Sequence, residues 1–298
     1  MKLIPSCQSV YALSSEMAPV ATAVPGETVV FETEDALGGQ VCTDRDVLEQ
    51  LDFSRVNPAT GPLAVEGAEP GDTLVVWIRH IETAERGVAL TGPGMGVLGD
   101  EAVRPVTCIL PIERGVVRFD QLSLDSRPMI GVIGVAPADG SCPTGTAHRH
   151  GGNMDTKEIA AGATLYLPVF RRGALLALGD VHAVMGDGEV CVTGCEVAAS
   201  VTVEAGVVKG RRPEWPTLET DDLVGIIVSL PTIGEALAEA ARQGVHLLQR
   251  AQHLSFENAY ILASLAMDVR VSQLVDPNKT AKALIPRRLI SRPLAEVL

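Results

Sequence analysis

Aromatic and charged residues are both scarce in this sequence. Phe, Trp and Tyr make up only 3% of the 298 residues and charged residues 20%, whereas hydrophobic residues reach 46%. A chain of this length can bury a substantial core, which must then be built from Val, Leu, Ile and Ala. No apolar run reaches the roughly 18 to 20 residues that span a bilayer. The N-terminus also has no basic segment followed by an apolar stretch and a cleavage site. We therefore expect a globular, cytoplasmic protein.

Positive charge and cysteine density are low as well. The chain has 24 Lys and Arg residues against 37 Asp and Glu residues, which gives a formal net charge of −13. Binding to phosphate backbones requires a clustered basic face, so this balance argues against nucleic acid as a partner. It is compatible with a small neutral substrate. The six cysteines lack the density of a disulfide scaffold, and we expect reduced thiols.

Short segments with the pattern of strands run from the N-terminus to about residue 230. They are rich in β-branched residues and are bounded by Gly, Pro and Asp. The clearest of them are residues 28–33, 73–81, 129–136, 164–170, 190–204 and 223–230. No internal repeat and no alternation of strands with helices interrupts this part of the chain. The pattern predicts a mainly β fold, either an antiparallel β-sandwich or a distorted barrel.

A pair of helices is predicted near the C-terminus. Thr232 can cap a helix that runs to about Gln252, and a second helical pattern covers Ser255 to Met267. Residues 268–275 again have the pattern of a strand. We therefore predict a single integrated unit over residues 1–298. Its parts are a β-rich region over 1–230, a helical pair over 232–267 and a closing strand over 268–276.

Two clusters of His and Asp residues lie in Gly-rich surroundings between residues 141 and 196. The first is His148-Arg149-His150-Gly151-Gly152-Asn153-Met154-Asp155. The second comprises Gly179-Asp180-Val181-His182 and Met185-Gly186-Asp187-Gly188-Glu189. Imidazole nitrogen and carboxylate oxygen are ligands for zinc or a related divalent metal, and a catalytic site leaves one position open for water.

Local geometry permits these groups to share one ion. Asp180 and His182 are two residues apart in a predicted strand and therefore point to the same face. His150 and Asp155 need a bend between them, which Gly151 and Gly152 can supply. Each cluster can also be read as an ordinary turn, with a carboxylate that accepts backbone N–H bonds and a histidine that is a satisfied polar group.

Two further carboxylates are candidates for chemistry. Glu189, in a Gly-Asp-Gly-Glu stretch, can take the proton of an attacking water, although a solvated glutamate in a tight hairpin is the alternative. Asp35 follows a predicted strand, where functional side chains often project from a rigid scaffold; the alternative is an Asx turn. Cys142 is a weaker candidate nucleophile, because the proline after it removes an N–H from any oxyanion hole.

Five stretches, in family order and spread over almost the whole chain, resemble the acetamidase/formamidase family. They are Thr33-Glu34-Asp35-Ala36; Asn57-Pro58-Ala59-Thr60-Gly61-Pro62 with Val65-Glu66-Gly67-Ala68-Glu69-Pro70-Gly71-Asp72; His150-Gly151-Gly152-Asn153-Met154-Asp155; Gly179-Asp180-Val181-His182 with Gly186-Asp187-Gly188-Glu189; and Gln273-Leu274-Val275-Asp276-Pro277. As a set, these stretches are specific to the family.

The resemblance implies a mainly β fold, hydrolysis of short-chain amides to a carboxylate and ammonia, and a divalent metal, with zinc expected first. It implies Glu189 as the acid/base, and Asn153 as a group that binds substrate or orients a ligand. The ligand pool that it implies is Asp35, His150, Asp155, Asp180 and His182. More ligands are implied than one zinc requires, so some of them can support others or serve a second ion. We also expect a homo-oligomer.

Two other functions remain open at this point. A metal-dependent hydrolase of cyclic amides, a lactamase, would use the same groups. A non-enzymatic protein that binds a small ligand or a metal would need no base beside the metal, so the role of Glu189 separates it from an enzyme.

Overall fold

In the computed structural model, which describes residues 1–298, the chain forms twenty-two strands and three α-helices. The strands β1 to β22 are, in chain order, Lys2–Ile4, Ser9–Val10, Ala12–Ser14, Ala21–Ala23, Thr28–Thr33, Ala59–Val65, Thr73–Thr83, Arg86–Thr91, Val106–Glu113, Val116–Phe119, Leu122–Asp125, Met129–Gly134, Ser141–Pro143, Gly151–Asn153, Thr164–Pro168, Leu176–His182, Glu196–Val197, Ala199–Val208, Thr217–Glu219, Leu223–Leu230, Asp268–Gln273 and Lys279–Pro286. The helices α1 to α3 are Ile233–Gln252, Phe256–Ala266 and Leu294–Val297, and 3₁₀ turns cover Leu48–Gln50, Phe53–Arg55 and Arg287–Leu289.

The strands form two large sheets. The order in the nine-stranded sheet is β1-β5-β18-β7-β15-β19-β20-β22-β21. The eleven-stranded sheet has the order β11-β10-β9-β8-β17-β16-β12-β14, with β6 paired to β16 and β2 and β4 paired to β6. Neighbouring strands are antiparallel apart from the pairs β1/β5 and β4/β6. The prediction of a mainly β, antiparallel fold is confirmed, and no closed barrel forms.

Strand β7 explains how the layers pack. Its residues Leu74, Val76 and Ile78 join a core shared by both sheets, whereas Val75 joins a second core under the helices. The strand is buried on both faces, and for this reason its first half is a continuous apolar run instead of an alternating one. The molecule therefore has a layer of helices, the nine-stranded sheet and the eleven-stranded sheet, in that order.

The helical pair begins as the sequence predicts. The Thr232 hydroxyl accepts a hydrogen bond from the Glu235 N–H at 3.3 Å, and Ser255 caps α2 in the same way at Asn258. Helix α1 ends at Gln252 and buries Ala236, with other small and branched residues, against the nine-stranded sheet. None of the helices is both long and apolar enough to cross a membrane.

Two of the predicted strands differ most from the structure. The predicted strand 190–204 is instead a turn followed by the short β17 and by β18, because Glu189 and Val192 adopt a positive φ, which breaks extended backbone. The closing strand ends at Gln273, whose side-chain oxygen accepts N–H bonds from Val275 and Asp276 and so folds residues 274–276 into a turn.

Candidate active site

The end of strand β16 supplies the central pair of side chains. His182 is fully buried, and its Nε2 lies 3.2 Å from Asp180 Oδ1. The neighbouring β17 pairs Glu196 with His182, which brings Glu196 Oε2 to 3.1 Å from the same nitrogen. Strand pairing within the eleven-stranded sheet therefore places two carboxylates on one imidazole.

Two further carboxylates approach the same nitrogen from turns. Asp155 follows β14 and Glu189 lies in the turn after β16, and one oxygen of each is 3.9 Å from His182 Nε2. The donor atoms fall into two sets, each with all atoms within 4.8 Å of one another. One set is Asp155, Asp180 and His182; the other is His182, Glu189 and Glu196.

Gly131 on β12 makes room for two of these carboxylates. A Cβ at this position would lie 2.5 Å from Asp155 Oδ1 and 2.7 Å from Asp180 Oδ2. Both distances are shorter than van der Waals contact, so any larger residue would displace the carboxylates. Glycine inside a strand often marks such a close approach.

The packed carboxylates raise the pKa of one another. Burial raises the pKa of Asp155 to about 6, and the charge of Asp180 adds to the rise. Burial and then the charge of Asp155 raise the pKa of Glu189 well above its usual value, and the same two causes raise the pKa of Asp276. A divalent cation among these groups would relieve the repulsion and favour their ionised forms.

His182 and Glu196 form the most strongly interacting pair. Burial by itself would lower the pKa of His182, but the charges of Glu196 and Asp180 outweigh it and raise that pKa well above its usual value. Burial raises the pKa of Glu196 to about 8, against the opposite effect of His182. The pair therefore holds protons tightly when no cation is present.

The residues present fit a divalent cation. Both oxygens of Asp155 and Oδ2 of Asp276 are buried and have no hydrogen-bond partner. Buried polar atoms are normally paired, so these acceptors would suit a positively charged ligand. Carboxylate oxygens with one imidazole nitrogen are a ligand set for zinc, manganese and related ions.

The structure does not bring Asp35 and His150 into either donor set. Asp35 Oδ1 accepts N–H bonds from Leu37 at 2.9 Å and from Gly39 at 3.2 Å, which is an Asx turn. Burial raises the pKa of Asp35 even so. His150 is buried with its ring stacked on His148 at 5.9 Å, and burial lowers its pKa to about 4. Its Nε2 has no partner.

Asn153 on β14 is buried, and its Oδ1 has no partner. It lies in the same segment as Asp155. The buried amide oxygen is available to a ligand that donates a hydrogen bond.

Three residues of the centre were missed in the sequence. Glu196 is a single acidic residue in an otherwise apolar segment, and Gly131 interrupts an apolar strand; either pattern indicates a special position. Asp276 belongs to a stretch that resembles the family, yet no role was assigned to it. Its place beside Asp155 depends on a turn that joins β21 to β22.

A buried lysine joins the two turns that carry Asp155 and Glu189. Lys282 on β22 is fully buried, and its Nζ lies 2.6 Å from Glu158 and 2.7 Å from Asp187. Glu158 is three residues after Asp155, and Asp187 is two residues before Glu189. One ammonium group therefore ties both turns to the nine-stranded sheet.

Comparison with known proteins identifies relatives of this chain. The sequence profile of the Acetamidase/Formamidase family matches residues 13–144 and 138–222. An acetamidase from Bacillus halodurans has a structure with a TM-score of 0.95 and 42% identity, over 97% of this chain and 98% of that one. The formamidase of Methylophilus methylotrophus is 23% identical over 94% of this chain and 90% of its own length.

A protein of Schizosaccharomyces pombe assigned as a formamidase is 27% identical over 62% of this chain. The matched part spans 60% of that protein's length, which is less than two thirds of it. Together, the fold and these relatives indicate an amide hydrolase. The chain belongs to the acetamidase/formamidase family.

Proposed function

We propose that this protein hydrolyses short-chain linear amides, such as formamide and acetamide, to a carboxylate and ammonia with the help of a divalent metal. The observation that carries the proposal is the buried Asp155 carboxylate, whose oxygens both lack a partner beside Asp180 and His182. These three residues are the proposed ligands, with zinc as the first candidate. Asp35 and His150 are outside this smaller set because neither belongs to a group of donor atoms that lie within 4.8 Å of one another.

Glu189 is the proposed general base. Burial and the charge of Asp155 raise the pKa of Glu189 well above the usual value, so it accepts a proton more readily than an exposed glutamate would. It would take the proton of the attacking water and pass it to the departing amine, because the amine must leave protonated. The bound metal would act as a Lewis acid that stabilises negative charge on the amide oxygen.

Asn153 is proposed to hold the substrate. An amide substrate has an N–H donor, and the unpaired Oδ1 of Asn153 is an acceptor in the same segment as Asp155. We also propose a cytoplasmic homo-oligomer that binds no nucleic acid. The net charge of −13 supports the last point.

A panel of linear and cyclic amides tests the proposal against its alternatives. Ammonia release is measured for formamide and acetamide, and ring opening for small lactams, with metal-replete protein. We expect turnover of the linear amides. Ring opening without ammonia release would make the protein a lactamase, and the absence of both reactions would favour a binding protein without catalysis.

A further inference from the structure

A cavity of about 290 Å³ adjoins the proposed base. It lies between the hairpin β10–β11 and the turn after β16. Its wall is mostly apolar, and its larger side chains are Leu110, Val117, Phe119, Leu124, Met185 and Val190. Phe119 and Leu124 are each 44% exposed and Val190 is 57% exposed, so the mouth of the cavity presents apolar side chains to solvent.

The cavity lies beside the candidate active site and shares Glu189 with it. Glu189 is part of its wall, and Met185 in the same wall has its sulfur 3.3 Å from His182 Nδ1. A molecule in the cavity therefore reaches the proposed base. Four other cavities have none of the residues of the centre in their walls.

The polar groups of the wall are occupied by other parts of the protein. The Thr193 hydroxyl lies 3.1 Å from both the N–H and the carbonyl of Leu90. Asp187 is paired with Lys282 at 2.7 Å and with Lys157 at 3.0 Å. Glu189 is therefore the polar group that remains available to a ligand, and the rest of the wall suits hydrocarbon.

The size of the cavity exceeds the needs of the smallest amides. A cavity of about 290 Å³ has room for many water molecules. Formamide has three non-hydrogen atoms and acetamide has four, and either would leave most of this apolar surface in contact with water. A larger acyl group would remove this apolar surface from water and should therefore bind more tightly.

We propose that this cavity is an acyl-group pocket and that the preferred substrates are primary amides with an apolar acyl group larger than acetyl, such as butyramide, hexanamide or benzamide. The inference rests on the proposed amide hydrolysis and names the substrate class of that same centre. The carboxamide is held at Glu189, and the hydrocarbon part lies along Phe119 and Leu124. The flexible Met185 side chain adapts to straight, branched or aromatic chains.

The test is a series of primary amides from formamide to hexanamide, with benzamide added, assayed for ammonia release by metal-replete protein. We expect kcat/KM to rise by about fourfold for each added methylene, which corresponds to about 0.8 kcal/mol. A value of kcat/KM that falls steadily as the acyl group grows would overturn the pocket assignment while leaving amide hydrolysis intact. No turnover of any amide would overturn the proposed function itself.

Two variants of one hairpin give a matched comparison. Phe119 and Leu122 are paired across the β10–β11 turn, but only Phe119 lines the cavity. Phe119→Ala should lower the ratio of kcat/KM for hexanamide to that for formamide by about tenfold. Leu122→Ala, at a position that is 62% exposed, should leave this ratio unchanged.

Melting temperatures of both variants establish that each is folded before the kinetics are compared. An equal effect of the two substitutions on the hexanamide-to-formamide ratio would refute the pocket. A second experiment does not depend on turnover. Hexanoate, the product of hexanamide hydrolysis, should inhibit the parent more strongly than acetate. Equal inhibition by the two carboxylates would also count against the pocket.

Discussion

At the scale of the residue, the centre is defined by acidic groups that crowd one imidazole. His182 Nε2 has an oxygen of Asp180 and an oxygen of Glu196 within 3.2 Å, and oxygens of Asp155 and Glu189 at 3.9 Å. Burial and the repulsion between neighbouring carboxylates raise the pKa of Asp155, Glu189 and Glu196. A divalent cation is the simplest group that would balance them.

The substitution Gly131→Ala tests the geometry of this centre without removing a polar atom. The added Cβ would lie 2.5 Å from Asp155 and 2.7 Å from Asp180, so it should displace both carboxylates and lower metal affinity by about tenfold or more. Metal content after dialysis measures the effect. Gly186→Ala is the control, because a Cβ there has no neighbour within 4 Å. Equal metal content in both variants would show that the carboxylates do not bind the ion.

The substitution Glu189→Gln tests the assignment of the base. Gln keeps the size of the side chain but cannot accept a proton, so turnover should fall by about 10² to 10⁴ with a much smaller change in substrate affinity. His182→Ala, in contrast, should lose the metal. Metal content and steady-state kinetics of the two variants decide the question. Equal loss of metal would make Glu189 a ligand, in line with its distance from His182 and Glu196.

Which residues of the centre could be predicted depends on how far apart they lie in the sequence. Asp180 and His182 share a face because they are two residues apart in one strand, which the sequence already contains. Glu196 reaches His182 because β16 pairs with β17. Irregular backbone joins these two strands, and no local sequence pattern predicts that they pair. The resemblance to the family implied Asp35 as a ligand, and in the structure its Oδ1 accepts the N–H bonds of the Asx turn that was the alternative.

At the scale of the element, the centre depends on unusual backbone conformation at three positions, one within β16 and two in the segments that follow strands. Asp155, Asp180 and Glu189 all have a positive φ, between 41° and 53°. Non-glycine residues rarely adopt this conformation, and it persists when the surrounding structure enforces it. The buried Lys282, bonded to Glu158 and Asp187, is one such constraint.

The substitution Lys282→Met should therefore destabilise the protein. It removes the partner of Glu158 and one of the two partners of Asp187, and we expect a loss of about 1 to 3 kcal/mol because both carboxylates are partly exposed. The free energy of unfolding in urea measures the effect. Lys2→Met is the control, since the Lys2–Glu27 pair is partly exposed and should contribute about 0 to 1 kcal/mol. A similar loss in both variants would contradict the role of Lys282.

Strands and helices could be predicted where a single local sequence pattern determines them. The strands 28–33 and 223–230 and the cap Thr232 have the predicted positions, because β-branched runs and capping side chains act locally. Strand β22 was not predicted. It contains Lys282, which would be read as a surface residue, and its burial depends on two carboxylates from distant turns.

At the scale of the whole molecule, metal binding and stability should be linked through pH. The pKa of Asp155 is raised to about 6 and that of Glu196 to about 8, and the pKa of His182 is raised as well. Groups with a raised pKa stabilise the folded state while they are protonated, and this contribution is lost as pH rises through the raised values. The melting temperature of metal-free protein should thus fall from about pH 5 to about pH 8.

The same pH series with metal bound provides the comparison for this prediction. A cation that neutralises the carboxylates removes the need for bound protons, so the melting temperature of the metal-loaded protein should fall less over the same range. Thermal unfolding of both forms in one set of buffers measures the difference. A metal-free melting temperature that is constant or rises from about pH 5 to about pH 8 would contradict the electrostatic account of the centre.

The most direct test of metal-dependent amide hydrolysis follows one preparation through removal and return of its metal. Elemental analysis and ammonia release from formamide and acetamide are measured on the purified protein, after chelation and removal of the chelator, and after addition of zinc or manganese. The account predicts that activity disappears with the metal and returns with one of these ions, whereas His182→Ala stays inactive throughout. Full activity in thoroughly metal-free protein would contradict it.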